Sequence, residues 1–547
     1  METFSKLYDN LIKNSKFRIL FFIILTLLSS ISLFTISLKY GHDILFHLSR
    51  IVGIKDSFSN DLFPSIYSNY LNGYGYGNPL FYPDIFLYVP AFINYLGLSI
   101  NTSYKIFIIL VNFFSIISMY ITVKGISKSK YAGIISSIIY AFASYRLIDV
   151  FSRAALGEAL AFIFIPLIIY GIYNIIYGDY KKFYILVIGM SGLILSHILS
   201  TYIICILLFI FCLINIKKFI KEKQRIKYLV ISALITLLIT AFFIFPMLEQ
   251  MISGKFLFNN TAKISEITKR SVPIYALFLE IILPLKYWIP AGIGIIFIYL
   301  TYLKIKNRNI KDSFITQCFI IGVLCLFLAS NIFPWKLFEK AFSLIQFPWR
   351  LYVITTVLLT VGGGILISKI YTKNKDRIKQ LIIVFSLSLI SLISITVTTL
   401  LSGNTNFNNY YISMGEYLPS NVNLDYIKER GNVVTSNNQI TFTHKKVDNK
   451  IIIDFVNNYD NTILELPLLY YKGYGAKINN EYLDVFETDH GLVGVKLNNI
   501  KEGTLEVSYI KTPTIYISRG ISLLSVTIFG LYLYMKGRKK DEKQKNI

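Results

Sequence analysis

The sequence predicts a polytopic α-helical membrane protein carrying a small extracytoplasmic β-sandwich before its last span. Three observations carry this. Hydrophobic residues fill 54% of the 547 positions and charged residues only 16%, with a mean hydropathy of +0.56, which excludes a soluble domain. Apolar runs of about 20 residues recur along the chain, the length a helix needs to cross the hydrocarbon core. Residues 403–513 break that pattern, being polar, Asn-rich and alternating with period two. The runs are continuous rather than alternating, so nothing in them suggests a transmembrane barrel.

The elements follow in chain order. Lys13, Lys16 and Arg18 precede the first span at 17–39 and place the N-terminus in the cytoplasm. No small-residue cleavage site follows it, so it reads as a retained span rather than a removed signal. Of the apolar segments 84–99 and 102–123, only the second crosses if the basic loop Lys124 to Lys130 is cytoplasmic. The first holds Asp84 and Pro90 and is assigned to an interfacial or re-entrant position, within a long first external loop at 40–101. Spans follow at 131–145, 157–177, 183–199, 200–216, 228–247, 287–304, 313–332, 351–370, 380–401 and 514–535. The total is about 12, with both termini inside. Lys269 and Arg270 fall on the external side, and the apolar run 273–284 reads as either a short span or an interfacial segment. In 403–513, stretches such as Lys450 to Phe455 and Thr504 to Tyr509 alternate between Gly and Asn turns, the pattern of short antiparallel strands.

The formal charge of +24 comes largely from Lys and Arg in short runs between spans, so the positive-inside rule accounts for it and nucleic acid is not an expected partner. Cys205, Cys212, Cys318 and Cys325 all lie in apolar runs and read as small buried hydrophobes, with neither a zinc site nor a disulfide framework. No phosphate-binding loop, dinucleotide fingerprint or metalloprotease helix motif occurs.

Polar residues at the ends of spans supply the candidate chemistry. In Gly41 to Arg50, a continuous helix sets Asp43, His47 and Arg50 on one face, either as acid–base machinery or as a polar face meeting water. Tyr145 to Glu158 brings two arginines and two acids to the external side, where Asp149 and Arg153 are spaced for a local ion pair and Glu158 opens a span. His197 sits where two spans join, as a helix–helix hydrogen-bonding residue or a site residue. Arg350, in Gln346-Phe347-Pro348-Trp349-Arg350, either snorkels to headgroups or clamps a phosphate. The aromatic cluster Tyr74 to Pro83, with Tyr82, lines a groove for a sugar or prenyl chain or anchors the interface; His444 and His490 read as surface residues. Nucleotides are scarce on the external face, so an activated donor there is lipid-linked.

The order and spacing of several short motifs resemble the YfhO-like bacterial membrane proteins, including those labelled "6-pyruvoyl-tetrahydropterin synthase-related". These motifs are Gly41-His42-Asp43 with His47, Tyr76 to Pro83, Arg153 to Glu158, Ser196-His197, Gln346 to Arg350, Gly415-Glu416-Tyr417-Leu418-Pro419 and Leu466 to Tyr474. The resemblance implies a GT-C-like fold and a polytopic glycosyltransferase acting on cell-envelope polymers such as lipoteichoic acid, with a polyprenyl-phosphate sugar as donor. It implies no pterin chemistry, because no three-histidine zinc constellation is present. Under it, Asp43 is the catalytic base. Taken together with the reading of the residues, Glu158 joins it as catalytic, and His47, Arg153, His197, Arg350, Tyr82 and Glu416 are expected to bind substrate. A divalent metal, Mg or Mn, would be held by Asp43 and Glu158. Membrane lipids and an envelope glycan or teichoic acid acceptor are the expected partners, at the bacterial plasma membrane. Two other classes compete: a transporter or flippase of lipid-linked glycans, which needs charge at mid-membrane depth, and a non-catalytic envelope assembly factor.

Overall fold

A computed structural model describes residues 2–258, 267–279, 281–283, 289–338, 342–412, 415–447, 450–479 and 481–545. Among these the chain is predominantly helical, with a β-sheet region near the C-terminus. Five helices are long and apolar enough to cross a membrane: Ile100–Ser127, Leu156–Ile176, Pro348–Ile370, Asn374–Leu401 and Pro513–Arg538. The count rises to 7 if two bent pairs are each one span: Lys130–Ala141 with Ser144–Ser152, bent by 50°, and Gln224–Ile239 with Ala241–Ser253, bent by 74°.

The count of about 12 expected from apolar runs is not reached by this measure, because several runs fold as shorter helices. The first run gives only Ser15–Ser29, capped at its start by the Asn14 side chain and followed by a 3-10 turn at Ile31–Leu33. The paired runs near 183–216 give Tyr184–Ile194 and Ile198–Ile214, interrupted at Ser196-His197. Where described, the run 273–284 holds only a 3-10 turn at Ile274–Ala276 and the strand Ile281–Leu283, which pairs antiparallel with Ile289–Ala291.

The chain divides into two compact units. The first comprises Met1–Leu48, Phe92–Ala233 and Ala262–Phe407. Its core is built on the helix Tyr352–Ile370, buried on nearly every side. The run Gly362-Gly363-Gly364 explains how one helix can accept several neighbours. A Cβ at Gly362 would lie 3.0 Å from Cys318, one at Gly363 would lie 2.6 Å from Leu300, and one at Gly364 would lie 1.9 Å from the Ser136 hydroxyl. Each glycine thus admits a different helix to backbone contact, as small residues do between membrane helices.

The second unit comprises Ser49–Ala91, Leu234–Thr261 and Asn408–Ile547. It holds two antiparallel sheets. One has four strands in the order Thr435–Ser436, Asn461–Leu469, Leu492–Asn498, Val485–Glu487. The other has five, in the order Thr441–Val447, Lys450–Val456, Glu502–Tyr509, Tyr474–Ile478, Glu481–Leu483. The two stretches singled out for alternation pair with each other, from Lys450 opposite Ser508 to Val456 opposite Glu502. Ile451, Ile453 and Phe455 are buried while Asp454 and Val456 face out, which fixes the register. Pro467 has no amide hydrogen to give the ladder, and the register skips it at a bulge between Leu492 and Val493. Helix Ala241–Ser253 packs on Pro513–Lys545 in this unit, and Glu249 accepts the hydroxyls of Thr512 and Thr514 at 2.5 and 2.9 Å.

Candidate functional site

The first unit gathers its charged side chains at the break after helix Lys130–Ala141. That helix ends in carbonyls that need donors, and Arg146 supplies them, bonding Tyr140 O at 2.8 Å, Ala141 O at 2.6 Å and Asn112 Oδ1 at 2.7 Å. Beyond it Ile148–Ser152 winds as a π-turn, closed by the Arg153 amide on Ile148 O at 2.8 Å. The Ala155 amide then reaches Asp149 O at 3.0 Å, which draws Ala154 into the left-handed region at φ +51°. Such wide turns recur at functional sites because they re-aim side chains. Here the turn sets Asp149 beneath Arg153 and starts helix Leu156–Ile176 with Glu158 in its first turn, where the helix dipole favours a carboxylate. Residues 145–151 are thus buried, in the short helix Ser144–Leu147 and the π-turn that follows it.

A second segment closes against this one. The His42 and Asp43 amides donate to Ser152 O and Arg153 O at 3.3 and 2.9 Å. The approach requires Gly41, since a Cβ there would lie 2.6 Å from the Ala154 Cβ. The following helix, Ile44–Ser57, carries His47, whose Nε2 accepts the Leu156 amide at 3.2 Å. His47 therefore caps helix Leu156–Ile176 from outside, with its remaining proton on Nδ1 when neutral.

Glu158 is the centre of the site. Its Oε2 accepts Arg153 Nη1 at 3.0 Å and the Tyr145 hydroxyl at 3.1 Å, and its Oε1 accepts Arg350 Nε at 2.9 Å. Arg153 Nη1 also pairs with Asp149 Oδ1. Arg350 Nη1 is held by Ile345 O at 3.1 Å and Gln346 Oε1 at 2.6 Å. Glu158 is 1% exposed, Arg153 6% and Arg350 7%, so these pairs lie in a low-dielectric setting. Each guanidinium keeps part of its fork uncommitted. Arg153 Nε and Nη2 and Arg350 Nη2 have no protein hydrogen bond among the described residues, and they are not sealed from solvent.

Asp43 lies half-buried beside this cluster, its carboxylate without a hydrogen-bond donor among the described residues. Burial pushes its carboxyl above the usual carboxylate range, Arg153 and Arg350 pull it back, and Glu158 adds to the rise. The arrangement offers two directed cations for an anion and a free carboxylate next to them.

The structure brings Asp43, His47, Arg153, Glu158 and Arg350 into this one constellation. His197 caps helix Ile198–Ile214 through Nδ1, which accepts the Ser200 amide at 3.2 Å, and it lies within electrostatic reach of Glu158. Tyr82, Glu416 and Arg50 belong to the second unit. There Arg50 is 1% exposed and pairs with Asp84 through Nε at 2.9 Å, and the Tyr82 ring lies 4.1 Å from its guanidinium carbon. The Glu416 carbonyl accepts the Phe258 amide at 2.7 Å. Within that unit the charge of Arg50 is met by Asp84. A divalent metal does not fit at Asp43 and Glu158. Both Glu158 oxygens already hold cationic or phenolic donors, and no group of three or more metal-binding side chains occurs among the described residues. Asp149 and Tyr145 are members that spacing alone read only as a local ion pair and a flank. The signal was the clustering of four charges within Arg146 to Glu158.

An uncharacterized protein of Lactococcus lactis subsp. cremoris (strain MG1363) is 26% identical over 364 residues, covering 61% of this chain and 58% of that protein. The chain thus spans less than two thirds of that relative's length. A membrane-protein family described as the 6-pyruvoyl-tetrahydropterin synthase related domain matches residues 80–405, a stretch that contains Arg153, Glu158, His197 and Arg350 but begins after Asp43 and His47. The match covers more than half of the chain and includes the arginine–glutamate centre, and the chain belongs to this family of membrane proteins.

Proposed function

We propose that this protein is a membrane glycosyltransferase that moves a sugar from a polyprenyl-phosphate donor to an acceptor of the cell envelope, on the extracytoplasmic face. One observation carries the reading: two buried arginines keep uncommitted guanidinium donors beside a carboxylate, Asp43, that has no hydrogen-bond partner among the described residues. The arginine fork suits a phosphate, and an unpaired carboxylate suits removal of a proton.

In this mechanism Arg153 and Arg350 hold the phosphate of the donor. Asp43 takes the proton of an acceptor hydroxyl as its oxygen attacks the anomeric carbon. The bond from that carbon to the phosphate oxygen breaks on the opposite side, inverting the centre, and the electron pair leaves on the polyprenyl phosphate. The arginines then meet the charge that develops on the leaving phosphate, where fixed cations act most strongly. Glu158 touches neither substrate. It keeps both guanidinium groups aimed and charged.

The test is transfer from a radiolabelled polyprenyl-phosphate sugar in membranes containing the full chain. Asp43→Asn should fall by about two to four orders of magnitude, the span of a general base. Full transfer by a folded Asp43→Asn protein would remove the reading. A chain that translocates the lipid without transferring sugar would favour the flippase class instead.

A further inference from the structure

The charge of the cluster does not balance. Asp43, Asp149 and Glu158 bring three carboxylates, Arg153 and Arg350 two guanidinium groups, and the cluster is largely buried. An anionic ligand adds to the excess of negative charge, and in a low-dielectric site that excess opposes binding. Adding one proton relieves it, and the geometry decides which carboxylate carries the proton. Glu158 accepts three donors, from Arg153, Arg350 and Tyr145, and a proton on either oxygen would displace one of them. Asp43 is half-buried and open. Asp149 is 0% exposed, and its Oδ1 holds Arg153 while its Oδ2 is sealed with no hydrogen-bond partner. A bare, sealed carboxylate oxygen is far more costly as part of an anion than as a neutral hydroxyl.

Around Asp149, the residue after its own turn is Arg153, the short helix Ser144–Leu147 supplies Tyr145 and Arg146, helix Leu156–Ile176 supplies Glu158, the segment before Tyr352 supplies Arg350, and the Gly41 to Asp43 segment supplies Asp43. Helix Asn374–Leu401 also packs on the turn, and from Gln380 onward it contains no titratable residue. Arg153 and Arg350 are already paired with carboxylates, Arg146 is turned onto the neutral oxygens of Tyr140, Ala141 and Asn112, and His197 lies on the Glu158 side of the cluster, so neither guanidinium pair is left to offset a further negative charge at Asp149.

We propose that the arginine site binds its phosphate ligand together with one proton, which is held on Asp149 Oδ2 in the loaded state and given up when the ligand leaves. This rests on the reading of the arginine pair as a phosphate site. Asp149 is then a binding-site residue whose neutral form belongs to the loaded state, and the Oδ1 contact keeps Arg153 aimed throughout.

The experiment uses the full chain in detergent and farnesyl methyl phosphate, a diester whose single charge is constant across the range from about pH 6 to 9, so any pH dependence comes from the protein. Titration calorimetry in two buffers of different ionisation enthalpy counts protons on the unmodified chain. Uptake of about one proton per ligand is expected, and Kd should weaken up to about tenfold per pH unit toward the alkaline end. Asp149→Asn imitates the protonated acid. It should lose most of the proton uptake and most of the pH slope, keeping only the share that titration of Asp43 supplies toward the acidic end, and bind more tightly than the unmodified chain at the alkaline end. Zero proton uptake by the unmodified chain overturns the inference while leaving the phosphate site standing. So does an Asp149→Asn protein that binds weakly at every pH with the slope intact, because Asp149 would then only hold Arg153. No binding of the diester by the folded, unmodified chain overturns the phosphate site itself, and this inference with it.

Discussion

Glu158 and Arg350 stand 192 positions apart in the chain and meet at 2.9 Å, both largely buried. The bond joins the start of helix Leu156–Ile176 to the short turn before helix Tyr352–Ile370, so it ties two apolar elements together through their polar ends. Glu158 also holds Arg153, and removing its charge strands two buried guanidinium groups. Glu158→Gln should cost about 3–5 kcal/mol of stability, the usual penalty for breaking a buried pair from one side. Thermal unfolding of the purified chain measures it. A change well under 1 kcal/mol would mean that the arginines find other acceptors.

Gly41 and Ala154 form a second, tighter relationship. Gly41→Ala sets two Cβ atoms 2.6 Å apart and must push the Asp43 segment off the Arg153 backbone. The expected loss is about 1–3 kcal/mol, as for other overpacked sites. Ala154→Gly removes the opposing methyl and also relieves a residue held at φ +51°. The double variant should therefore regain most of the loss. A double-mutant cycle on unfolding free energy gives the coupling, and strict additivity would show that the two residues do not meet.

The sequence was informative about these parts to different degrees, and the reason is physical. Apolar runs predict membrane helices because burial in lipid is decided by composition alone, and a period-two pattern predicts strands such as Lys450–Val456 for the same local reason. Span count was poorly legible because a hydropathy run does not feel the breaks at Ser30 or Ser196-His197 that divide it into shorter helices. The site was half legible. Arg153, Glu158 and Arg350 announce themselves as charges at the ends of apolar runs. Asp149 did not, since an acid four residues before an arginine looks like any local ion pair until the π-turn and burial are seen. Arg50 misled for the converse reason. Its helical spacing from Asp43 and His47 is real, but Asp84, distant in sequence, claims it.

Asp43 should govern a pH dependence of opposite sign for rate and for stability. Its carboxyl is raised in the folded chain, chiefly by burial. Folding therefore favours its protonated form, and that stabilisation is fully present below the ordinary aspartate range and lost as pH rises through the raised value. The base form appears over the same interval, so transfer should rise where stability falls. In Asp43→Asn both slopes should disappear, transfer by staying low and this share of the stability by staying constant. Parallel measurements of unfolding and of transfer from about pH 4 to 8 check the pairing. A rate that falls with rising pH across that interval would rule Asp43 out as the base.

Arg50 provides the contrast between a structural and a reacting arginine. In the second unit its guanidinium donates to Asp84 through Nε at 2.9 Å and to Pro83 O at 2.7 Å, the Tyr67 hydroxyl donates to the other oxygen of Asp84, and the Tyr82 ring lies alongside. The pair is closed, with both charges buried. Asp84→Asn should therefore act on folding, by about 3–5 kcal/mol, because it leaves Arg50 buried without its counter-charge. Replacing both residues by apolar ones of similar size, as in Arg50→Met with Asp84→Leu, should recover a large part of that loss. Tyr67 limits the recovery, since its hydroxyl loses its acceptor in either case. Transfer measured per folded molecule distinguishes the roles. A structural Arg50 changes the amount of folded protein and its unfolding temperature. A double variant that is stable yet lacks transfer would instead return Arg50 to the chemistry, beside Asp43 and His47.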